Sequence, residues 1–438
     1  MVMSESESDL LKPEGHSAKP GSGSKIKFLT LNTWGLKFVS KFRKDRLRAI
    51  GDKIRLEHFK YDVIALQEVW CKEDWDYIEE TVSDFFPYRR IFYSGIITGP
   101  GLAILSKIPI DSTFLYRFPI NGRPSAFWRG DWFVGKSVAV TLLRPLDDDS
   151  FPLAILNSHM HAPYSLEGDA AYTCHRSCQA WDFAKLSKLL SKAGYAVVIV
   201  GDLNSRPGSL PHKFLTLETT LIDSWEQLNG VQDLNKIKNL SPDLQIEIGG
   251  TTCDSTLNTW RSNRHPTEAC RLDYALIDSS KLKTLEAKVD FTEQIPEIGS
   301  YSDHFAYSCT LQISSKNSYK SLTRSNSITV NTVEYYDEML ELLRNYNKTA
   351  KWQKSWRGWH FILSIVLLII IHIVAPFTSQ RASWSSVFWV FSATIISITG
   401  LIDGLISYLF GRSEIRALEE VKQEVLDAKR SLQTIVYN

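Results

Sequence analysis

The chain has 438 residues, 44% of them hydrophobic and 23% charged, with a formal net charge of +1. That length holds one large globular domain of about 250 to 300 residues and an appendage, and the near-neutral balance excludes a global basic field of the kind that tracks nucleic acid. Six cysteines, at 71, 174, 178, 253, 270 and 309, stand without a paired CxxC, which argues against a disulfide framework or a zinc site and suits a reducing cytosol.

Residues 1–24 carry Ser, Glu, Lys, Pro and Gly without an apolar core segment, so the expectation is a disordered arm and not a secretory signal. From Lys25 onward short β-branched runs recur: IKFLTLN, YDVIALQE, GLAILS, SVAVTLL, LAILNSH, AVVIVGDLN, RLDYALI and HFAYSCTL. Each has the length and composition of a strand. Apolar positions three and four apart predict helices over Lys44–Phe59 and Ala171–Ser191. The alternation makes residues 25–314 a strand-rich α/β domain.

A Ser/Asn/Lys stretch, SSKNSYKSLTRSNS, then breaks the pattern, and residues 315–333 read as a linker. A juxtamembrane region, 334–357, carries the amphipathic segment Glu334–Tyr346. Within 358–410 follow two apolar stretches, Trp359–Phe377 and Ser386–Phe410, each about the twenty residues a bilayer core demands of a helix. Trp352, Trp356, Trp359 and Trp384 flank them as aromatic belts, which favours two transmembrane helices over a buried helical hairpin. Lys351, Lys354 and Arg357 precede the first span and Arg412 and Arg416 follow the second, with Arg381 alone in the turn; the positive-inside rule then puts both ends in the cytosol. In the helical tail, 411–438, apolar residues at Ile415, Leu418, Val421, Val425, Ala428, Leu432 and Ile435 form a stripe. It reads as a coiled-coil seam joining a homodimer, or as a helix docked on the main domain.

Polar residues stand at one strand exit after another. Asn32 follows IKFLTL, Glu68 follows VIALQ, His159 ends LAILNSH, and Asp202 and Asn204 follow AVVIVG, where alternation points both the same way and Gly201 allows close backbone approach. Asp273 lies within RLDYALI, and Asp303 and His304 open HFAYSCTL. Singly, an Asp or Asn after a strand is a turn former and a His a core or surface residue. As a set they hold what a phosphodiester requires: oxygen ligands for a hard cation, a base for water and an acid for the leaving alkoxide. With no HExxH or Cys/His cluster, Mg2+ fits better than zinc.

The order Asn32, LQEVW with Glu68, NSHMH with His159, GDLN at 201–204, RLDY at 271–274 and SDH at 302–304 resembles the superfamily of DNase I, apurinic endonucleases and neutral sphingomyelinases, over nearly the whole domain. GDWFVGKS, SHMHAPY, CHRSCQAW and the paired C-terminal spans make it most similar to the neutral sphingomyelinase branch. The resemblance implies a four-layer α/β/β/α sandwich with the site at one end of the two sheets, followed by the transmembrane hairpin and helical tail. It implies a phospholipase C that cleaves inositol phosphosphingolipids or sphingomyelin to ceramide. Carried over, Glu68 is the magnesium ligand, Asn32 supports metal and phosphate, and Asp303 joins them on the metal side. Asp202 and Asn204 bind the attacking water and phosphoryl oxygens, His304 is the general base and Asp273 orients its ring. His159 stabilises the phosphoryl oxygens or assists the leaving group.

GDWFVGKS also satisfies the Walker A spacing at Gly130, Gly135, Lys136 and Ser137, but a strand and not a helix is predicted after it, which argues against ATP binding. By resemblance this segment marks the sphingolipid branch, with Asp131 and Lys136 needed for activity. Trp128, Trp132 and Phe133 around Lys136 suit a loop at a membrane interface. Lys136 among aromatics, Lys351, Lys354 and Arg357 before the first span and Arg412 and Arg416 after the second predict activation by anionic phospholipids such as phosphatidylserine or cardiolipin, in line with the resemblance, which also implies residence in the endoplasmic reticulum or mitochondrial outer membrane. The rivals are a nuclease or an inositol polyphosphate 5-phosphatase of the same superfamily, and a membrane tether with a decayed site.

Overall fold

The computed structural model describes residues 23–95, 98–219, 221–318 and 329–437. The predicted N-terminal arm, apart from its last two residues, and the centre of the predicted linker lie outside that set. In chain order the elements are β1 (Lys25–Asn32), α1 (Arg43–Leu56), β2 (Val63–Gln67), α2 (Lys72–Val82), β3 (Tyr88–Ile91), β4 (Ala103–Ser106) and β5 (Ile110–Arg117). Then come α3 (Asp131–Val134), β6 (Ser137–Leu143), β7 (Leu153–His159), α4 (Thr173–Lys192), β8 (Ala196–Asp202), α5 (Leu210–Leu217) and β9 (Leu221–Asp223). Three short helices, α6 (Ser224–Asn229), α7 (Leu234–Ile237) and α8 (Pro242–Glu247), precede β10 (Asp273–Asp278), β11 (Leu282–Asp290), β12 (Gln294–Ile295), β13 (Gly299–Ser300) and β14 (Ala306–Ile313). The C-terminal part is α9 (Thr329–Arg381), α10 (Ser385–Leu405), a π-helical turn over Ile406–Phe410, and α11 (Gly411–Tyr437).

Two six-stranded sheets form, in the orders β11-β14-β1-β2-β4-β3 and β5-β6-β7-β8-β10-β9. Their central strands are apolar on both faces, and all seven residues of β6, β7 and β8 are buried, because each sheet is covered twice. Phe28, Val63, Ile104, Ile155, Val198 and Leu311 fill the space between the sheets. Leu47, Ile50 and Ile54 of α1, three and four residues apart, cover the outer face of the first sheet with Trp75 and Ile78 of α2. Trp181 and Phe183 of α4 and Phe214 of α5 cover the second. The result is the expected four-layer α/β/β/α sandwich. Strands β3, β5 and β11 escape a search for apolar runs because they are edge or near-edge strands whose side chains alternate in exposure.

Two helical stretches are long and apolar enough to cross a membrane, Val333–Arg381 and Ser385–Gln433, with mean hydropathy of 2.7 and 1.8 in their most apolar windows. Helix α9 runs without interruption through the amphipathic segment and the first span. Its first turns belong to the sandwich: Tyr336, Met339, Leu343, Tyr346 and Ala350 share one buried cluster with α4 and with Leu418, Val421 and Val425 of α11. The tail is therefore a docked helix, pinned further by Trp181 Nε1 donating to Glu424 Oε2 at 2.7 Å. Of the two readings of the tail stripe this is the docked helix: the seam at Leu418, Val421 and Val425, on which the homodimer expectation rested, is covered by the chain's own helices. Helices α9 and α10 approach closely where side chains are small. A Cβ on Gly400 would stand 2.5 Å from Ser364 Cβ, and one on Gly404 would stand 2.7 Å from the Phe361 ring, the small-xxx-small contact that lets apolar helices meet in lipid.

Candidate active site

The topology itself gathers the strand-end residues. Strands β1 and β2 are parallel, as are β7 and β8, so Asn32, Glu68, His159 and Asp202 leave four strands at one edge of the sandwich. His159 pairs in register with Asp202, and Asp202 with Asp273 at the start of antiparallel β10. His304 reaches the same edge two residues before β14, held by a bridge to Cys253. Gly201 makes the row possible: a Cβ there would stand 2.0 Å from Ser158 O, at a backbone φ of +127°. Glu68 and Asn204 themselves adopt φ of 60° and 46°, a left-handed conformation that is uncommon for a non-glycine residue and recurs at functional sites.

At the centre Asn32 Nδ2 donates to both Glu68 Oε1 (3.1 Å) and Asp202 Oδ2 (3.0 Å). Asp202 Oδ1 accepts from Asn204 N at 2.9 Å. His304 Nδ1 lies 2.8 Å from Asp273 Oδ2, which leaves Nε2 facing Asp202 Oδ2 at 3.9 Å. His159 Nε2 stands 3.6 Å from Asp202 Oδ2 and 3.9 Å from Glu68 Oε1. Asp303 is set apart, its Oδ2 accepting from Arg261 Nη2. Asn32, Glu68, His159, Asp202, Asn204, Asp303 and His304 line one cavity of about 470 Å3, with Asp273 buried behind His304.

Burial sets the charge states. It raises Glu68 above the usual carboxylate range, with Asp303 adding to the effect, and pushes Asp202 up to about 7. His159 lies well below the ordinary histidine value because burial, then Lys136 and His304, disfavour its cation. Burial disfavours the His304 cation as well, yet Cys253, Asp273 and Asp202 outweigh it and hold His304 well above that value. Neither Glu68 nor Asp202 has a lysine or arginine ion-pair partner among the described residues. Two buried carboxylates joined only by an amide, with oxygen donors around them, fit a hard divalent cation. Asp202, Asp273 and His304 also place one ligand atom each within 4.8 Å of one another.

Lys136 is 2% exposed. Its Nζ pairs with Asp131 Oδ1 at 3.2 Å, and both line the cavity. Burial would raise Asp131, but Lys136, His161 and the Tyr164 hydroxyl hold it below the usual range. The segment Gly130–Ser137 comprises α3 and the turn into β6, with Ser137 Oγ donating to Gly135 O; it opens a strand and so lacks the helix a nucleotide loop requires. Lys136 is thus an interior charge of the cavity, which corrects its reading as a membrane-facing cation among aromatics. The Trp128 side chain lies outside the described set. Trp132 meets Phe410 instead, ring centroids 4.6 Å apart.

Arg357 needs the same correction. It is 7% exposed, is paired through Nη1 with Asp403 of α10, and donates from Nη2 to Ser125 O at 3.0 Å. The base of the apolar hairpin is therefore joined to the segment that carries Asp131 and Lys136. Sequence reading passed over Arg129, Tyr164, Asp254, Arg261 and Arg264, which also line the cavity. They come from loops, where no periodicity marks which way a side chain faces.

Residues 29–304 match the Endonuclease/Exonuclease/phosphatase family. The chain is 58% identical to an inositol phosphosphingolipids phospholipase C of Saccharomyces cerevisiae, over 94% of this chain and 91% of that one. It is 36% identical to the protein of the same name from Schizosaccharomyces pombe, over 92% and 94% of the two chains. With mouse sphingomyelin phosphodiesterase 2 the identity is 28%, over 92% and 91%.

Proposed function

The chain belongs to the endonuclease/exonuclease/phosphatase family, and from that premise we propose that it is a membrane-anchored, magnesium-dependent phospholipase C. It hydrolyses inositol phosphosphingolipids, and sphingomyelin as a second substrate, to ceramide and the phosphorylated headgroup. One observation carries the reading: the hydrolytic residues line a cavity whose Gly130–Lys136 wall is joined to the base of a membrane-length hairpin. The names of the relatives above agree with it.

Glu68, Asp202 and Asn32 would hold magnesium, which supplies positive charge to the phosphoryl oxygens and lowers the barrier to attack. Asp202 and Asn204 orient the water, and His304, its Nδ1 held by Asp273, takes the water's proton at Nε2 once the neighbouring carboxylates are neutralised. The water oxygen bonds to phosphorus in line as the bond to the ceramide oxygen breaks, and the departing alkoxide takes a proton from solvent water to leave as ceramide's primary alcohol. His159, neutral at physiological pH, donates a hydrogen bond to a phosphoryl oxygen and does not act as an imidazolium acid. Full-length protein in mixed micelles with inositol phosphoceramide, its mannosylated forms or sphingomyelin releases ceramide; release of ceramide phosphate instead would overturn the reading.

Magnesium binding should depend on pH in a definite direction. Asp202 is raised to about 7, so below that pH the ion must displace a proton and above it need not. Calorimetric affinity for magnesium is expected to rise by roughly tenfold per unit up to neutrality and then level off. A flat profile between pH 5.5 and 8, on the order of that span or wider, would remove Asp202 from the ligand set.

We also propose that both termini are cytosolic, that the membrane is the endoplasmic reticulum or mitochondrial outer membrane, and that anionic phospholipids activate the enzyme. Lys351, Arg412 and Arg416 are exposed beside the spans and remain available for this, at about 1 kcal/mol each. Phosphatidylserine should raise turnover by up to about a hundredfold at low salt, and neutralising the three should abolish most of that gain. Activation indifferent to salt and to these substitutions would exclude the mechanism.

A further inference from the structure

The catalytic cavity has a second wall that the hydrolysis does not use. Asp254 follows Cys253, whose backbone pairs with both Cys270 and His304, so its position is fixed from two sides. Its φ of 53° is one that Asp and Asn adopt more readily than most residues. Its Oδ1 lies 3.6 Å from Arg261 Nε and 3.5 Å from Arg264 Nε, beyond good hydrogen-bond length. Asp254 Oδ1 and Arg261 Nε are buried atoms that make no hydrogen bond. Arg261 is anchored elsewhere on Asp303, and Arg264 on Glu268. An acceptor and a donor with bonding capacity unspent, Asp254 Oδ1 and Arg261 Nε, therefore stand together in the lining that also holds the strand-end residues.

A separate segment of the lining, Gly130–Lys136, is the one joined to the hairpin. A lipid's ceramide belongs with the bilayer, so its headgroup extends toward Asp254, Arg261 and Arg264. We infer that these three residues form a subsite that reads the hydroxyls of a polyol headgroup. A vicinal diol can donate to the carboxylate and accept from a guanidinium at once. A trimethylammonium headgroup does neither, and would leave these groups unpaired, the situation in which a polar site rejects a substrate most strongly. Among the described lining residues the aromatics are Trp70 and Tyr164, whereas a quaternary ammonium is held by a cage of several rings.

The inference rests on the phospholipase C reading and is tested so that the two can fail separately. Asp254→Asn, tolerated at positive φ, and Arg264→Gln, at a half-exposed side chain, are assayed as full-length protein in mixed micelles containing inositol phosphoceramide or sphingomyelin. The expected result is a KM for inositol phosphoceramide raised about tenfold with kcat changed less than about threefold, an interaction lost equally from ground and transition states. The preference for the inositol lipid in kcat/KM should narrow by a similar factor, and inhibition by soluble inositol 1-phosphate should weaken in parallel. Wild-type protein that releases ceramide while both variants keep its KM and preference, or lose both substrates equally, would overturn the subsite and leave the proposed function standing. Wild-type protein that cleaves neither lipid would overturn both.

Discussion

His304→Gln is expected to lower kcat by about 10²–10⁴-fold, the range typical of a positioned general base, with KM and thermal stability nearly unchanged. The choice of glutamine follows from the surroundings. Asp273 is fully buried, and His304 Nδ1 lies 2.8 Å from its Oδ2, while its Oδ1 has no partner. Alanine at 304 would orphan that carboxylate at a cost of about 1–3 kcal/mol, so His304→Ala should lose stability as well as turnover. Glutamine can still donate to Asp273 but cannot take a proton from water. Its pH–rate profile should lose the limb that reports the base. Near-normal kcat in His304→Gln at saturating magnesium would show that proton removal lies elsewhere.

Asp403→Leu is expected to destabilise the full chain in detergent by about 3–5 kcal/mol, as removal of one member of a buried ion pair does. Arg357 would keep its bond to Ser125 O but face an apolar surface with its charge uncompensated, and His360, whose Nδ1 lies 2.8 Å from Asp403 Oδ2, would lose its neighbour too. Arg357→Met with Asp403→Leu replaces both charges by apolar volume and should recover most of the loss. Because Ser125 lies just before Gly130, the single variant should also lower activity more than the double one does. Thermal unfolding of the four proteins gives the coupling directly; a double variant whose loss equals the sum of the two single losses would mean that the pair contributes no coupling.

Much of the architecture was legible because it is written in local pattern. Apolar runs of strand length marked the central strands, which are buried on both faces, and a polar residue after each run marked the edge where Asn32, Glu68, His159 and Asp202 meet. What escaped was anything decided by the partner across a gap. Lys136 among aromatics looks like an interfacial cation until Asp131 is seen beside it. Arg357 looks like a topology marker until Asp403 is found beside it near the end of the apolar helix α10. The stripe at Leu418, Val421 and Val425 has the spacing of a seam, but periodicity says only that a face is covered, not by whom. The loop residues Asp254, Arg261 and Arg264 had no pattern to betray them.

Helix α9 is 53 residues without a break, about 80 Å at 1.5 Å per residue, and its first turns are built into the sandwich while its last turns are apolar. It acts as a continuous strut, its proline, Pro376, standing near its far end. In the membrane-anchored state proposed above, with the far half of α9 in a bilayer of about 30 Å hydrocarbon, the catalytic domain cannot tumble, and its cavity is held at one height over one leaflet. The enzyme's reach is then two-dimensional: turnover follows the mole fraction of substrate in that leaflet and not its bulk concentration, and lipid on a neighbouring vesicle is out of range.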